Sequence, residues 1–131
     1  MAHPADTHPT VVLVVETESP IRTTAVDLLA DGGYRVIGAH TADEALTLLD
    51  LHPAVRVMVT DADLPGTLDG YALARIVDMR WPGIGVIAIS DRAPPGAGDL
   101  PTKARFIKKP YASLTLRREV GALAGMAPAF S

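Results

Sequence analysis

"VMVTDADLPGTLDG", residues 57–70, is the stretch that decides the fold. Residues 57–60 are apolar or β-branched without a break, which suits a strand buried on both faces, the habit of parallel sheets. The run stops on Asp61, and a second acid, Asp63, precedes a Pro65-Gly66 turn. Asp69 then offers an N-cap to a helix expected over about 70–80, with Leu73, Ile76 and Val77 inward. Trp81-Pro82 ends that helix, because the residue before a proline is pushed out of the helical region. A buried strand that ends on carboxylates, where a turn residue would do, calls for a chemical reason.

Reading outward, the same alternation continues on both sides. Residues 11–15, VVLVV, form a first strand. Ser19-Pro20 follows as N-cap and first helical residue, and Ile21, Ala25, Leu28 and Leu29 recur at helical spacing. Gly32-Gly33 stops the helix. "YRVIGAH" (34–40) reads as a second strand. Thr41 and Glu44 make a capping box, with Ala42, Ala45, Leu46 and Leu49 as the helix face behind it. A fourth strand is expected over 84–89, a short fifth over 105–108, and a final helix carries Leu116, Val120, Leu123 and Ala124.

Strands alternating with helices predict an α/β domain: a doubly wound, five-stranded parallel sheet with helices on both faces and right-handed crossovers. One connection breaks the pattern. "DRAPPGAGDLPTK" (91–103) carries Pro94, Pro95, Gly96 and Gly98 where a fourth helix is expected, so that helix is short or missing. There is no repeat and no second domain.

Composition narrows the function classes. The chain has 131 residues, 48% of them hydrophobic, enough for one domain with a proper core. A formal charge of -3 argues against a nucleic-acid partner, which wants a basic face. With no cysteine, disulfides, thiolate metal sites and thiol catalysis are excluded. The opening "MAHPADTHPT" has neither a basic n-region nor an apolar h-region, and no run is long enough to cross a bilayer. These features lead to the expectation of a cytoplasmic protein with a disordered leader over 1–9, no membrane partner, and a weakly structured tail over 125–131.

In an open parallel sheet, ligands sit beyond the carboxyl ends of the strands, where the winding direction reverses. The first strand delivers Glu16, Thr17 and Glu18 to that edge. The third delivers Asp61 and Asp63, the fourth Ser90, the fifth Lys109 followed by Pro110. Clustered carboxylates repel one another, and a hard divalent cation such as Mg²⁺ relieves the repulsion. A carboxylate can also attack phosphorus to give an aspartyl phosphate. A metal, a lysine and a serine hydroxyl would then neutralise and hydrogen-bond the phosphoryl oxygens.

With these residues assembled, the chain resembles a two-component response-regulator receiver domain of the CheY-like superfamily over about 10–124. The resemblance is carried by "VVLVVE", "VMVTDADLPGTLDG", "VIAIS" and "RFIKKPY". It implies a flavodoxin-like sheet of order 2-1-3-4-5 and a phosphoryl group accepted on Asp61 from a histidine kinase or phosphotransfer protein. It places Glu16 at the first acidic-pair position, Ser90 at the hydroxyl, Lys109 at the lysine with a bond to Pro110 that is usually cis, and Phe106 at the aromatic switch. Mg²⁺ would be held by Glu16, Asp61 and the backbone carbonyl of Asp63. The family's second acid, normally its principal metal-binding aspartate, is Thr17 here, so metal affinity should fall. Glu18 could substitute only if the strand end bends, since successive strand side chains point to opposite sides.

Three functions compete. The first is a stand-alone receiver, monomer or homodimer, that signals to an unknown downstream protein; a receiver cut from a larger hybrid kinase would read the same. The second is a pseudo-receiver that binds a partner without phosphate. The third is an enzyme, a haloacid-dehalogenase-type phosphatase with Asp61 as nucleophile and Asp63 as acid/base, although that family's D-x-D normally ends the first strand. The plainer alternatives are solvated acids at Glu16 and Glu18, core packing at Phe106, a solvated basic face from Lys103, Arg105, Lys108, Arg117 and Arg118, and surface histidines at 3, 8, 40 and 52.

Overall fold

The computed structural model describes residues 10–125. The expected leader and residues 126–131 of the expected tail lie outside them. The described chain runs β1 (Val11–Val15), α1 (Ser19–Asp31), β2 (Arg35–Ala39), α2 (Ala42–Leu51), β3 (Val55–Asp61), α3 (Gly70–Arg80), β4 (Gly85–Ser90), β5 (Arg105–Lys108) and α4 (Ser113–Gly125). The strands form one parallel sheet in the order β2-β1-β3-β4-β5, as the sequence pattern and the resemblance lead one to expect.

Each face of the sheet carries its own core, because strand side chains alternate and helices cover both sides. On one face, Leu13, Val15 and Met58 meet Ala45 and Leu49 of α2 and Leu73 and Val77 of α3. On the other, Val12, Val14, Val59 and Ile87 meet Leu29 of α1 and Leu116 and Val120 of α4. The chain leaves β1 toward β2 and later returns past β1 to β3. The winding therefore reverses between β1 and β3, and the ends of those two strands are neighbours, with Val15 paired to Thr60.

Several local readings need correction. α1 is capped by Glu18, not Ser19: Ser19 is already helical, Pro20 sits in the first turn, and no side chain bonds the cap. Ile21, expected inward, is 41% exposed, and Leu28 is only partly buried. The capping box at α2 is half formed. Thr41 Oγ1 accepts from the Glu44 amide at 3.0 Å, but the Glu44 carboxylate accepts from the amide of His40 at 2.8 Å. β3 starts two residues earlier than expected, with a register shift against β1 that leaves Arg56 as the extra residue.

No helix or strand lies between β4 and β5 among the described residues. The segment is tied down by long side chains instead. Arg75 of α3 donates to the Asp99 carbonyl at 2.7 Å, and the Asp99 carboxylate accepts the Gly96 amide at 2.8 Å. Lys103 reaches Asp78 at 3.3 Å and the Pro82 carbonyl, and Lys108 donates to the Arg92 carbonyl at 3.0 Å. Arg105 pairs with Glu119 at 2.7 Å, and Arg117 donates to the Leu28 carbonyl at 3.0 Å. Lys103, Arg105, Lys108 and Arg117 of the expected basic face each make a bond within the chain, while Lys103, Lys108 and Arg118 remain exposed to solvent.

One glycine is fixed by a close approach. α3 begins at Gly70 directly against the end of β3. A Cβ there would stand 2.0 Å from the Asp61 carbonyl oxygen and 2.7 Å from Ala62 Cα. Gly70→Ala should therefore push α3 off the strand end and cost about 3 kcal/mol, the upper end for forcing an extra carbon into a packed site. Urea unfolding of the variant checks this; an unchanged midpoint would refute it.

Candidate phosphoacceptor site

Asp61 is delivered to the sheet edge by β3, whose last hydrogen bonds tie it to its neighbour: the Ala62 amide donates to the Ile89 carbonyl at 2.8 Å. Thr60, fully buried, turns its hydroxyl onto the Asp61 carbonyl at 2.9 Å. The Asp61 side chain is 12% exposed, and that of Glu16, at the end of β1, is 9%. Lys109 comes from the end of β5, which the Lys109 amide prolongs by donating to the Ser90 carbonyl at 2.9 Å. Its ammonium lies 3.2 Å from Asp61 Oδ1 and 3.9 Å from Glu16 Oε1. The Lys109-Pro110 peptide bond is cis.

This arrangement explains the charge states. Burial alone would lower the Lys109 pKa. The hydrogen bond and charge of Asp61, with Glu16 and Asp91 behind them, outweigh it and hold the ammonium above its usual 10.5. Tyr111 is half-buried beside the same group. Burial raises its phenol, Lys109 opposes that rise, and Glu16 adds to it. Together with Ile21 and Pro110, Tyr111 lines an open groove of about 470 Å³ leading to Lys109.

The remaining expected residues divide. Ser90 is buried at the end of β4, but its hydroxyl donates to Asp63 Oδ2 at 3.3 Å and accepts the Arg92 amide at 3.0 Å. The other oxygen of Asp63 pairs with Arg92 Nε at 3.3 Å, so the Asp63 side chain faces the β4 end. Thr17 lies in the loop after β1, and its hydroxyl donates to the His40 carbonyl at 3.1 Å. Glu18 is exposed; its backbone amide donates to Glu16 Oε2 at 2.9 Å. Phe106 pairs with Ala88 in β5 and is partly buried. His40 and His52 are exposed; His3 and His8 lie outside the described residues.

As a donor set for Mg²⁺, the site offers two nearly buried carboxylates, Glu16 and Asp61. Hard oxygen ligands of this kind suit Mg²⁺, which is often held by one or two carboxylates, waters and a substrate phosphate. The donor chemistry fits the ion, with few charged ligands. Among the described residues no three His, Asp or Glu side chains gather as a metal-holding group.

Sequence reasoning missed Thr60, Tyr111 and Gly70. Tyr111 follows Lys109-Pro110 directly and Gly70 follows the Asp69 cap, so both stood beside motifs already marked. Nothing local marked Thr60.

Residues 12–120 match the response regulator receiver domain family, and the chain belongs to it. It is 35% identical over 104 residues to the sensor kinase CckA of Brucella abortus, covering 76% of this chain and 11% of that protein. It is 32% identical over 98 residues to an NtrX-like response regulator of Rickettsia bellii, covering 74% of this chain and 19% of that one. The fold matches a response regulator receiver protein from Sinorhizobium medicae, with a TM-score of 0.84, 22% identity, and coverage of 91% of this chain and 97% of the other. The chain thus spans less than a fifth of the length of either sequence relative. Receiver domains are signalling modules in which phosphorylation falls on an aspartate and Mg²⁺ generally binds at the acidic pocket.

The raised Lys109 pKa fixes the sign of a pH effect. The folded state holds this proton longer than the unfolded state does. The stability contributed by the ion pairs is therefore complete below pH 10.5 and lost as pH rises through the higher folded value. Urea unfolding from neutral to strongly alkaline pH should show this decline, and Lys109→Met should flatten it. Tyr111, raised in the same direction, should leave a residual slope.

Proposed function

We propose that this chain is a phosphoryl-accepting receiver in which Asp61 is the acceptor. The observation that supports this most directly is the Lys109 ammonium at 3.2 Å from a nearly buried Asp61 carboxylate at the switch point of the sheet. The donor is a phosphohistidine on a histidine kinase or phosphotransfer protein. An Asp61 oxygen attacks phosphorus, the N–P bond breaks, and its electron pair leaves on the imidazole, which takes up a proton. Lys109 neutralises charge that develops on the phosphoryl oxygens. Ser90 must turn from Asp63 before it can donate to the same group. Bound Mg²⁺ would add neutralising charge, held by Glu16, Asp61 and the backbone carbonyl of Asp63.

Metal binding in this reading is weak, because the residue in place of the second acid is neutral and its hydroxyl is bonded to His40. Glu18 presents its backbone amide to Glu16. Ser90 and Phe106 are the candidate switch pair, and residues 10–124 form the receiver unit. Whether that unit acts alone or within a larger kinase, it addresses a downstream protein. The groove lined by Ile21, Pro110 and Tyr111 gives the donor protein a place to rest beside Asp61. The engaged Thr17 also favours a second reading, a pseudo-receiver whose contacts need no phosphate. The phosphatase alternative loses its acid/base, since the Asp63 carboxylate is turned onto Ser90 and Arg92.

Two experiments decide between these. Incubation with a small acyl phosphate and Mg²⁺, followed by intact-mass spectrometry, should add one phosphoryl group that disappears in Asp61→Asn. No added mass from a folded protein at high Mg²⁺ would support the pseudo-receiver. Thr17→Asp should tighten Mg²⁺ binding about tenfold in titration calorimetry, because affinity follows the number of charged ligands. Unchanged affinity would show that Thr17 is not the weak point.

A further inference from the structure

We propose that Arg22 is the positioning residue of the acidic site: its guanidinium, clamped on the main-chain carbonyls of Glu16 and Thr17, fixes where the Glu16 carboxylate points and keeps Glu18 turned away from the metal. This rests on the reading of Glu16 and Asp61 as the metal and phosphoryl site.

The contacts form a closed set. Arg22 Nη1 donates to the Glu16 carbonyl at 2.7 Å and to the Thr17 carbonyl at 3.2 Å. A peptide unit is planar, so holding the Thr17 oxygen also holds the amide of Glu18 on the far side of the same plane. That amide is the donor that meets Glu16 Oε2 at 2.9 Å. The guanidinium thus acts on the Glu16 carboxylate through one rigid peptide. The Glu16 amide bonds the Ala39 carbonyl at 2.9 Å and the Thr17 hydroxyl bonds the His40 carbonyl, so β2 anchors the loop from its other side.

The neighbouring strand leaves room for the clamp. A Cβ on Gly38 of β2 would stand 3.3 Å from Arg22 Cδ, so the glycine lets the arginine stem lie across the sheet edge. Both bonds leave the same nitrogen, Nη1, whose two protons lie in the guanidinium plane at fixed angles, whereas a lysine ammonium rotates freely on a flexible stem. Because the loop cannot turn, Glu18 stays exposed as the helix cap, and Glu16 is left as the loop's only acid aimed at Lys109.

The test uses the full chain and Arg22→Met, which keeps the stem over Gly38 and removes the guanidinium. Without metal, amide exchange read by NMR should accelerate about tenfold at Glu18, while core amides such as Met58 and Ile87 hold their rates. Mg²⁺ binding should weaken about tenfold, the usual scale for losing a group that orients a ligand. Arg22→Lys should restore part of both effects, and Gly38→Ala should reproduce them mildly by displacing the stem. Unchanged Glu18 exchange in Arg22→Met would overturn the proposal. So would core amides accelerating as much as Glu18, which would make Arg22 a general stabiliser. Tighter Mg²⁺ binding that Glu18→Gln abolishes would also overturn it, since Glu18 would then have been recruited. A wild-type protein that takes neither Mg²⁺ nor a phosphoryl group refutes the reading of the site, whereas the Glu18 exchange rate still judges Arg22.

Discussion

The structure of the site depends on one ammonium between two nearly buried carboxylates. Glu16 and Asp61 arrive from adjacent strands, and the Lys109 ammonium sits 3.9 Å from the one and 3.2 Å from the other. The sheet exists in a form that permits this. β1 and β3 must be neighbours for the acids to meet, and β5 must lie on the β4 side for the lysine to reach back across the edge. The apolar strands beneath supply the low-dielectric floor on which such a cluster interacts strongly, with Val14, Val59 and Ile89 all buried under it. The same floor makes an unpaired acid costly, which is why the lysine is needed even before any metal or phosphoryl group arrives.

What could be read from the sequence follows from how local the signal is. Strand runs, the Asp69 cap and the Trp81-Pro82 stop are written within a few residues, and they place α3 and all five strands to within a residue or two. The convergence of Asp61, Ser90 and Lys109 was legible because each ends a strand, and a parallel sheet brings strand ends to one edge. The details that failed are those set across the chain. Ser19 looks like a cap in isolation, but the loop after β1 is pulled so that Glu18 takes that place. The Asp63 side chain answers to Arg92 in the loop after β4, and Ile21 lines the open groove beside Tyr111 instead of the core, which the periodicity of α1 could not disclose.

The connection from β4 to β5 shows the same division. Two prolines and two glycines announce that no regular helix forms, and none does among the described residues. What holds the segment is invisible locally, because its anchors come from elsewhere: Arg75 from α3, Asp78 through Lys103, and Lys108 from the next strand. Exposed ion pairs contribute little one by one. Hydrogen bonds from charged side chains to main-chain carbonyls do more here, since they satisfy the polar groups that a helix would have paired. Leu100 and Ala104 then seal the core beneath in place of a helix face.

Loss of the second acid changes how the charge at this site is divided. With an aspartate in place of Thr17, the loop would bring a third carboxylate to the strand end for a divalent cation to neutralise. With threonine there, the loop is organised by the protein itself: Arg22 on two carbonyls, the Thr17 hydroxyl on β2, and the Glu18 amide on Glu16. Such a loop is ordered without metal, so binding an ion forfeits little entropy but also gains fewer charged ligands. Lys109 meanwhile stands already in contact with Asp61. In the proposed reading, that ammonium supplies neutralising charge at Asp61 from within the chain, beside whatever a bound ion would add.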